Sequence, residues 1–124
     1  VCAEADAGWV PHLLDRMDRA FKRRSNWLPP GQELSQLPSE YFSENLYTTC
    51  QDDWVAFQVA EMMNWKRLMW ANDFPHSDST WPWSQEMLKE HSSDLSEEQR
   101  RHILGQNVAD LYNLDLEAIT SDAA

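Results

Sequence analysis

The chain has 124 residues, of which 42% are hydrophobic and 25% charged, and it carries a formal net charge of −11 at pH 7. An acidic surface repels phosphate groups and excludes nucleic acid as a favoured partner. No apolar run approaches the roughly 20 residues that a membrane helix needs. Composition and length therefore predict one soluble globular domain over residues 1–124, with no membrane partner.

The chain opens with a predicted strand and helix. Residues 1–5 are apolar and short enough for a strand, and residues 6–8 form a turn. The helix that follows runs to Arg24, and Pro11 suits its first turn because an N–H there has no partner. Its apolar face has helical spacing and consists of Val10, Leu13, Leu14, Met17 and Phe21. Ser25 and Asn26 are expected to end it.

A long loop and a second strand–helix unit come next. Residues 26–45 are rich in proline and predict a loop with one short helical turn capped at Ser39. A strand is expected over residues 46–51, and the pair Asp52-Asp53 is expected to supply an N-cap and a first-turn acid for a helix that continues to about Asn64. Met62 and Met63 on that helix are expected to pack in the core, since Met fills irregular gaps.

The third strand leads into a loop that carries a carboxylate. Residues 67–72 predict this strand, and Asp73 falls at its carboxyl end. Pro75 and Pro82 prevent the strand from continuing. In parallel sheets the chemistry lies at the carboxyl ends of strands, so the position of Asp73 indicates a functional site.

Helices complete the chain. A short helix is expected from Pro82 to about His91, and residues 96–99 match a capping box for a last helix through Tyr112. The buried face of this helix is predicted as Ile103, Leu104, Val108 and Leu111. Glycine costs about 1 kcal/mol relative to Ala inside a helix. Its presence at Gly105 therefore suggests that a neighbouring element lies too close for a side chain. The tail from about Leu116 is expected to fray.

The order of elements predicts an α/β fold with about three parallel strands and four to five helices. Three strands cannot close a barrel, and open sheet edges invite pairing with another chain. We therefore expect self-association as a two-fold dimer. The strand residues expected at or near the buried region are Leu46, Tyr47, Leu68, Met69 and Trp70.

Residues 70–82 read Trp-Ala-Asn-Asp-Phe-Pro-His-Ser-Asp-Ser-Thr-Trp-Pro. This stretch resembles the last-strand motif of the amidohydrolase-related family, which includes metal-dependent hydrolases and non-oxidative decarboxylases. Residues 4–24 are similar to the sixth strand–helix unit of that family, residues 46–51 to its seventh strand, and residues 95–115 to its closing helix. The resemblance implies part of a (β/α)8 TIM barrel, which takes roughly 250 residues. We expect the chain, which begins at Val1, to be the C-terminal part of a longer enzyme.

The resemblance also implies a chemistry. Asp73 would be a catalytic metal ligand that orients or deprotonates a water, with zinc or manganese as the cofactor and a small carboxylic or cyclic molecule as the substrate. A carboxylate at a strand end also caps turns, and this alternative stays open. The sequence lacks the His-x-His or Glu-x-His pair of the family's first strand. The metal is therefore expected in the intact enzyme, and this chain alone is expected to be inactive.

Four further residues are candidates for the same pocket. His76 is expected to contact substrate or to make a structural hydrogen bond, and the resemblance places Glu4 facing the pocket. Trp9 and Trp81 are expected to line it, because aromatic walls suit a flat organic substrate. The other histidines, His12, His91 and His102, lie in predicted helices, where a lone His makes no metal site.

Cys2 and Cys50 are too few for a disulfide scaffold and have no Cys-x-x-Cys spacing. They predict reduced thiols and a cytoplasmic protein. A different class of function also remains open, namely a non-catalytic module that associates with itself and has no activity of its own.

Overall fold

A small parallel sheet lies at the centre of the chain in the computed structural model, which describes residues 1–24, 27–31 and 33–121. Strand β1 is Thr48–Cys50 and strand β2 is Leu68–Trp70, with Thr48 opposite Leu68. The two strands lie inside the stretches predicted from the sequence and are shorter. The strand predicted over residues 1–5 is reduced to one parallel bridge, between Cys2 and Thr48.

Helices surround this sheet. In the described ranges they are α1 Val10–Arg24, α2 Pro38–Asn45, α3 Trp54–Gln58, α4 Ser84–His91, α5 Glu97–Arg101, α6 Asn107–Tyr112 and α7 Leu116–Ser121. Two 3₁₀ turns, Ala60–Met62 and Trp65–Arg67, precede β2, and a π-helical segment, His102–Gln106, joins α5 to α6. None of the described helices is long and apolar enough to cross a membrane. Helix α7 occupies the start of the tail, whose fraying stays a prediction.

Helix α1 covers the sheet with only part of its predicted apolar face. Val10 and Leu14 are buried, whereas Leu13 and Met17 are about two-fifths exposed. Helix α2 is held to α1 by Asp18, which accepts hydrogen bonds from the Ser39 backbone N–H at 2.9 Å and from the Ser39 hydroxyl at 2.7 Å. The predicted cap at Ser39 was therefore wrong, because its hydroxyl bonds to α1 while Leu37 holds the cap position. The predicted end of α1 at Ser25 and Asn26 lies outside the described residues.

Asp53 joins the first turn of α3 to the segment before α1. One carboxylate oxygen accepts from the Ala56 N–H at 2.9 Å, so the N-cap expected from the pair Asp52-Asp53 is Asp53. The other accepts from the N–H groups of Ala7 and Gly8 at 2.8 and 2.7 Å. One half-buried acid thus fixes the segment that leads into α1.

The helix predicted up to about Asn64 ends early. After Gln58 the chain continues in a 3₁₀ turn, which has three residues per turn and so rotates the side chains that follow. Met63 is buried, whereas Met62 is 68% exposed. The prediction that both methionines pack in the core was therefore wrong for Met62.

The last helix begins as predicted and then changes pitch. The Ser96 hydroxyl accepts from the Gln99 N–H, and the Gln99 side chain accepts from the Ser96 N–H, which confirms the capping box. The π-helical segment shifts the phase of the residues that follow it. Of the predicted buried face only Ile103 is fully buried, and Asn107 and Ala109 are buried in its place.

Gly105 lies in this π-helical segment, and the close contact predicted there was wrong. A Cβ built at this position meets no heavy atom within 4 Å. The glycine is therefore not required by packing in the described part of the chain.

The core lies between β1, β2 and the helices. Its largest fully buried side chains include Phe57, Leu68 and Ile103. Strand β2 pairs on one edge only among the described residues, since the sheet has the order β1–β2. The carboxyl ends of both strands, together with the residues after Cys2, point to one end of the sheet and position the site described next.

Candidate metal centre

Glu4, Asp73 and His76 come together beyond the carboxyl ends of the strands. Each offers one ligand atom, and these atoms all lie within 4.8 Å of one another. Asp73 follows β2, and Glu4 follows the bridge at Cys2. The Glu4 backbone N–H donates to the Thr49 hydroxyl oxygen at 3.3 Å, which ties Glu4 to strand β1.

The backbone leaves the strands through left-handed conformations. Glu4, Asp6 and Asp73 have φ angles of 58°, 50° and 58°. This region is uncommon for residues other than glycine, and such residues concentrate at functional sites. The sharp change of direction aims their side chains at the end of the sheet.

Short-range hydrogen bonds hold the loop after β2. The Asn72 side-chain oxygen accepts from the Phe74 N–H at 3.1 Å, and the Asp73 carbonyl accepts from the His76 N–H at 2.9 Å. The Thr80 N–H then returns to the Asn72 carbonyl at 3.1 Å. The loop is closed on itself, so His76 is kept beside Asp73.

His76 and Asp73 form a hydrogen-bonded pair. Nδ1 of His76 lies 2.9 Å from Oδ1 of Asp73. This hydrogen bond, then the negative charge of Asp73 and, more weakly, that of Glu4, raise the pKa of His76 above its ordinary value. The Asp73 side chain is 18% exposed and that of His76 is 69% exposed, so the imidazole sits at the mouth of the site.

An open cavity of about 250 Å³ lies against these groups and is lined by Glu4, Asp6, Gln51, Asp73, His76 and Asp78. A second cavity, of about 190 Å³, shares Glu4, Asp6, Gln51 and Asp73. The lining of the first holds four carboxylates and one imidazole. Such a surface attracts cations and supplies the oxygen and nitrogen atoms that bind divalent metals.

Three of the lining residues were not expected from the sequence. Asp6 Oδ1 accepts from the Gln51 N–H at 3.1 Å, and Gln51 Nε2 donates to Asp78 Oδ2 at 3.0 Å. Asp6 had been assigned to a turn. Gln51 had a usable signal, because it stands at the carboxyl end of its predicted strand.

Trp9 and Trp81 lie near the site, but neither lines the two cavities described above. The Trp9 Nε1–H donates to the carbonyls of Ala5 and Asp6 at 2.7 and 3.0 Å and so braces the segment that carries Asp6. The Trp81 ring packs edge-to-face on Phe74, with centroids 5.6 Å apart, and is 60% exposed. Their role in substrate binding stays a prediction.

Cys50 lines the second cavity beside Glu4 and Asp73, but within the described residues neither the cysteines nor the other histidines join the cluster of possible ligand atoms. Cys2 and Cys50 are both free thiols. Burial, followed by the negative charges of Asp53 and Asp6, raises the pKa of Cys50 far above its usual range, so its thiol stays neutral. His102 Nδ1 bonds to the Asn107 side-chain oxygen at 3.0 Å, and His91 packs against Phe57.

The family profile described as "Amidohydrolase" matches residues 10–114. A comparison with curated proteins gave no significant match.

Similar solved structures include 5-carboxyvanillate decarboxylase LigW from Sphingomonas paucimobilis. It superposes with a TM-score of 0.70 at 21% identity, over 86% of this chain and 31% of its own. A 2,6-dihydroxybenzoate decarboxylase from Rhizobium gives a TM-score of 0.63 at 21% identity, over 86% and 32%. A dihydroxybenzoic acid decarboxylase from Polaromonas sp. JS666, with bound manganese and the inhibitor 2-nitroresorcinol, gives a TM-score of 0.62 at 20% identity. The match covers 86% of this chain and 31% of that structure.

These similarities confirm the predicted fold class. The mixed helix and strand architecture with its small parallel sheet corresponds to part of a (β/α)8 barrel, and the chain spans about a third of the length of the structures that it matches. Since the family profile covers most of the sequence, the chain belongs to the amidohydrolase family.

Proposed function

We propose that this chain is the C-terminal part of a metal-dependent non-oxidative decarboxylase or hydrolase, in which Asp73 is a catalytic metal ligand. The observation that carries the proposal is the convergence of ligand atoms from Glu4, Asp73 and His76 within 4.8 Å. The structural neighbours are decarboxylases of aromatic acids, which supports a small carboxylic or cyclic substrate.

The residues present fit a divalent metal of the zinc or manganese class. Two carboxylates and one imidazole are suitable ligands, and a catalytic site requires about three protein ligands with a position left open. The cavity opens onto all three side chains. Manganese in the Polaromonas enzyme supports the same class of ion.

Each residue of the site then has a definite task. A bound metal would supply a Lewis acid that stabilises negative charge on a substrate or water oxygen. Asp73 would hold it and orient or deprotonate a water, or in a decarboxylase hold metal and substrate together. Glu4 and His76 would contact substrate or complete the ligand set. Trp9 and Trp81 would bound the substrate from outside the cavity.

Metal content of the purified chain tests this proposal. Wild type and two variants, Asp73→Ala and the control Asp94→Ala, are dialysed with zinc or manganese, washed and measured by elemental analysis. Asp94 is an exposed acid outside the cavities, so its variant matches the loss of charge. We expect stoichiometric metal in wild type and Asp94→Ala and its loss in Asp73→Ala.

A wild-type chain that retains no metal would contradict a metal site built by these residues. That result would favour the second candidate, a non-catalytic module. The exposed aromatic side chains Phe74, Trp81 and Trp83 support this alternative, because exposed apolar patches mark contacts with other chains.

We also propose that the chain forms a two-fold dimer in the cytoplasm. Phe74, Trp81 and Trp83 are each about two-thirds exposed, which is unusual for large aromatic side chains. Leu68 and Met69 are already buried within one chain, so half-exposed Leu46 and these three aromatic side chains remain for contact. The two unpaired thiols support a reducing compartment.

Sedimentation velocity over a concentration series tests the assembly. We expect the sedimentation coefficient to rise toward that of a dimer at micromolar concentration, with a concentration-dependent unfolding midpoint. A monomer at high micromolar concentration that unfolds cooperatively at a fixed midpoint would contradict the dimer.

A further inference from the structure

A separate cavity lies between β2, α4 and the continuous helical stretch formed by α5 and the π-helical segment. Its volume is about 340 Å³, larger than the cavity beside Asp73, and its lining residues are Trp70, Gln85, Leu88, Lys89, Ser92, Arg100 and Leu104. None of these lines the two cavities at the candidate metal centre. Its volume is in the lower range of small-molecule sites.

The charge of this cavity is opposite to that of the chain. The protein has a net charge of −11, yet the lining contains Lys89 and Arg100 and no carboxylate. Neither cation forms an ion pair within residues 1–24, 27–31 and 33–121. Two cations left together without a counter-charge favour an anion at this place.

Arg100 is the more deeply placed of the two. Its Nη2 donates to the Ser92 carbonyl at 2.9 Å, which fixes the guanidinium against the end of α4. Its Nε is buried and has no hydrogen-bond partner in the described part of the chain. The loss of hydration of this charge is therefore only partly compensated, and a nearby carboxylate would compensate more of it.

The rest of the lining includes apolar side chains, and the Trp70 indole is held in place. The Trp70 Nε1–H donates to the Gln51 carbonyl at 3.1 Å, which holds the indole ring in one orientation. Leu88 is 7% exposed and belongs to the core. Apolar side chains and two cations in one lining match a molecule with one charged end and one apolar end, rather than inorganic phosphate.

We propose that this cavity is a binding site for a small organic carboxylate. The carboxylate lies between Lys89 and Arg100, whose planar guanidinium suits carboxylate geometry. The apolar body packs on Trp70, Leu88 and Leu104. The site does not use Glu4, Asp73 or His76, so it stands independently of the proposed metal centre.

NMR titration of the ¹⁵N-labelled full chain with phenylacetate tests this site. The uncharged phenylacetamide is the matched probe of the same shape. We expect saturable shifts of the Ser92 and Leu104 amides and of the Trp70 indole N–H with phenylacetate, and none of comparable size with phenylacetamide. Binding persists in Asp73→Ala, which separates this site from the metal centre.

Glutamine variants test whether Lys89 and Arg100 bind the carboxylate. Lys89→Gln, at an exposed position that the fold does not require, is expected to weaken binding roughly tenfold, as loss of a charged hydrogen bond does. Arg100→Gln is expected to weaken it further, with its fold checked from the NMR spectrum. Lys66→Gln removes a cation outside the cavity and leaves the affinity unchanged.

Three results would overturn the proposal. The first is the absence of saturable shifts at these residues. The second is equal binding of the acid and the amide. The third is unchanged affinity in the folded Lys89→Gln variant.

Discussion

Gly8 and Gly105 look alike in the sequence, but their surroundings differ. A Cβ on Gly8 would lie 2.8 Å from the Val55 Cβ and 2.9 Å from Oδ1 of Asp53. The same atom on Gly105 would meet nothing within 4 Å. Gly8 is therefore required by the close approach of α3, whereas Gly105 is only a poor helix former.

The two glycine-to-alanine variants should change stability in opposite directions. Gly105→Ala is expected to stabilise the chain by up to about 1 kcal/mol, the helix preference for Ala over Gly. Gly8→Ala is expected to destabilise it by about 1–3 kcal/mol, the usual cost of overpacking. Thermal unfolding of both variants beside wild type checks this, and a shift of both midpoints in the same direction would refute the assignment.

The sequence was informative for single residues where position along a strand decides the geometry. Asp73 and Glu4 stand just beyond strand ends, and His76 follows within one turn, so the sequence indicated all three as candidates and the structure brings them together. Asp6 was missed because the positive φ values at Glu4 and Asp6 turn the chain back toward the cavity. Spacing in the sequence does not reveal such a reversal.

Asn107 shows how one polar side chain joins two elements. Its Nδ2 donates to the carbonyls of Trp65 and Leu68, both at 2.7 Å, and the residue is 1% exposed. These bonds hold the start of α6 against the entry to β2. The helix therefore helps to set the position of the strand that carries Asp73.

Asn107→Leu tests this link. The substitution keeps a side chain of similar size but removes the buried amide that donates to both carbonyls, and the Trp65 carbonyl alone keeps a donor, the Leu68 N–H. The loss should cost about 2 kcal/mol. Urea unfolding measures the loss. Gln106→Leu is the control, since its hydrogen bonds to Arg101 and Asp110 are on the surface, and it should stay within about 0.5 kcal/mol of wild type. Equal losses in both variants would contradict the special role of Asn107.

For whole elements, the capping residues predicted where helices begin better than hydrophobic periodicity predicted which side chains are buried. The capping box at Ser96 and the N-cap at Asp53 located the starts of two helices. The 3₁₀ turn after α3 and the π-helical segment after α5 each have a different number of residues per turn from an α-helix. Regular α-helical periodicity therefore predicted some exposed side chains as buried and some buried ones as exposed. These departures follow from tertiary packing, which a local pattern does not contain.

At the scale of the whole molecule, the fold is a portion of a larger architecture. The chain superposes on 31% of LigW with a TM-score of 0.70. Parallel strand order and the carboxyl-end position of Asp73 were predictable, because short alternating strand and helix units favour them. The number of strands was overestimated, since residues 1–5 contribute one bridge and the strand pairing depends on neighbours that local sequence does not specify.

The central claim is that Glu4, Asp73 and His76 form a metal site, and paramagnetic broadening by Mn²⁺ in the NMR spectrum of the chain tests it most directly. At substoichiometric Mn²⁺ we expect selective loss of signals from residues 4–6 and 73–76, restored by excess Zn²⁺ and absent in Asp73→Asn. Ser92 and Leu104, which line the other cavity, should keep their signals. Broadening spread over exposed acids such as Glu97 and Glu98, and unchanged in Asp73→Asn, would contradict the claim.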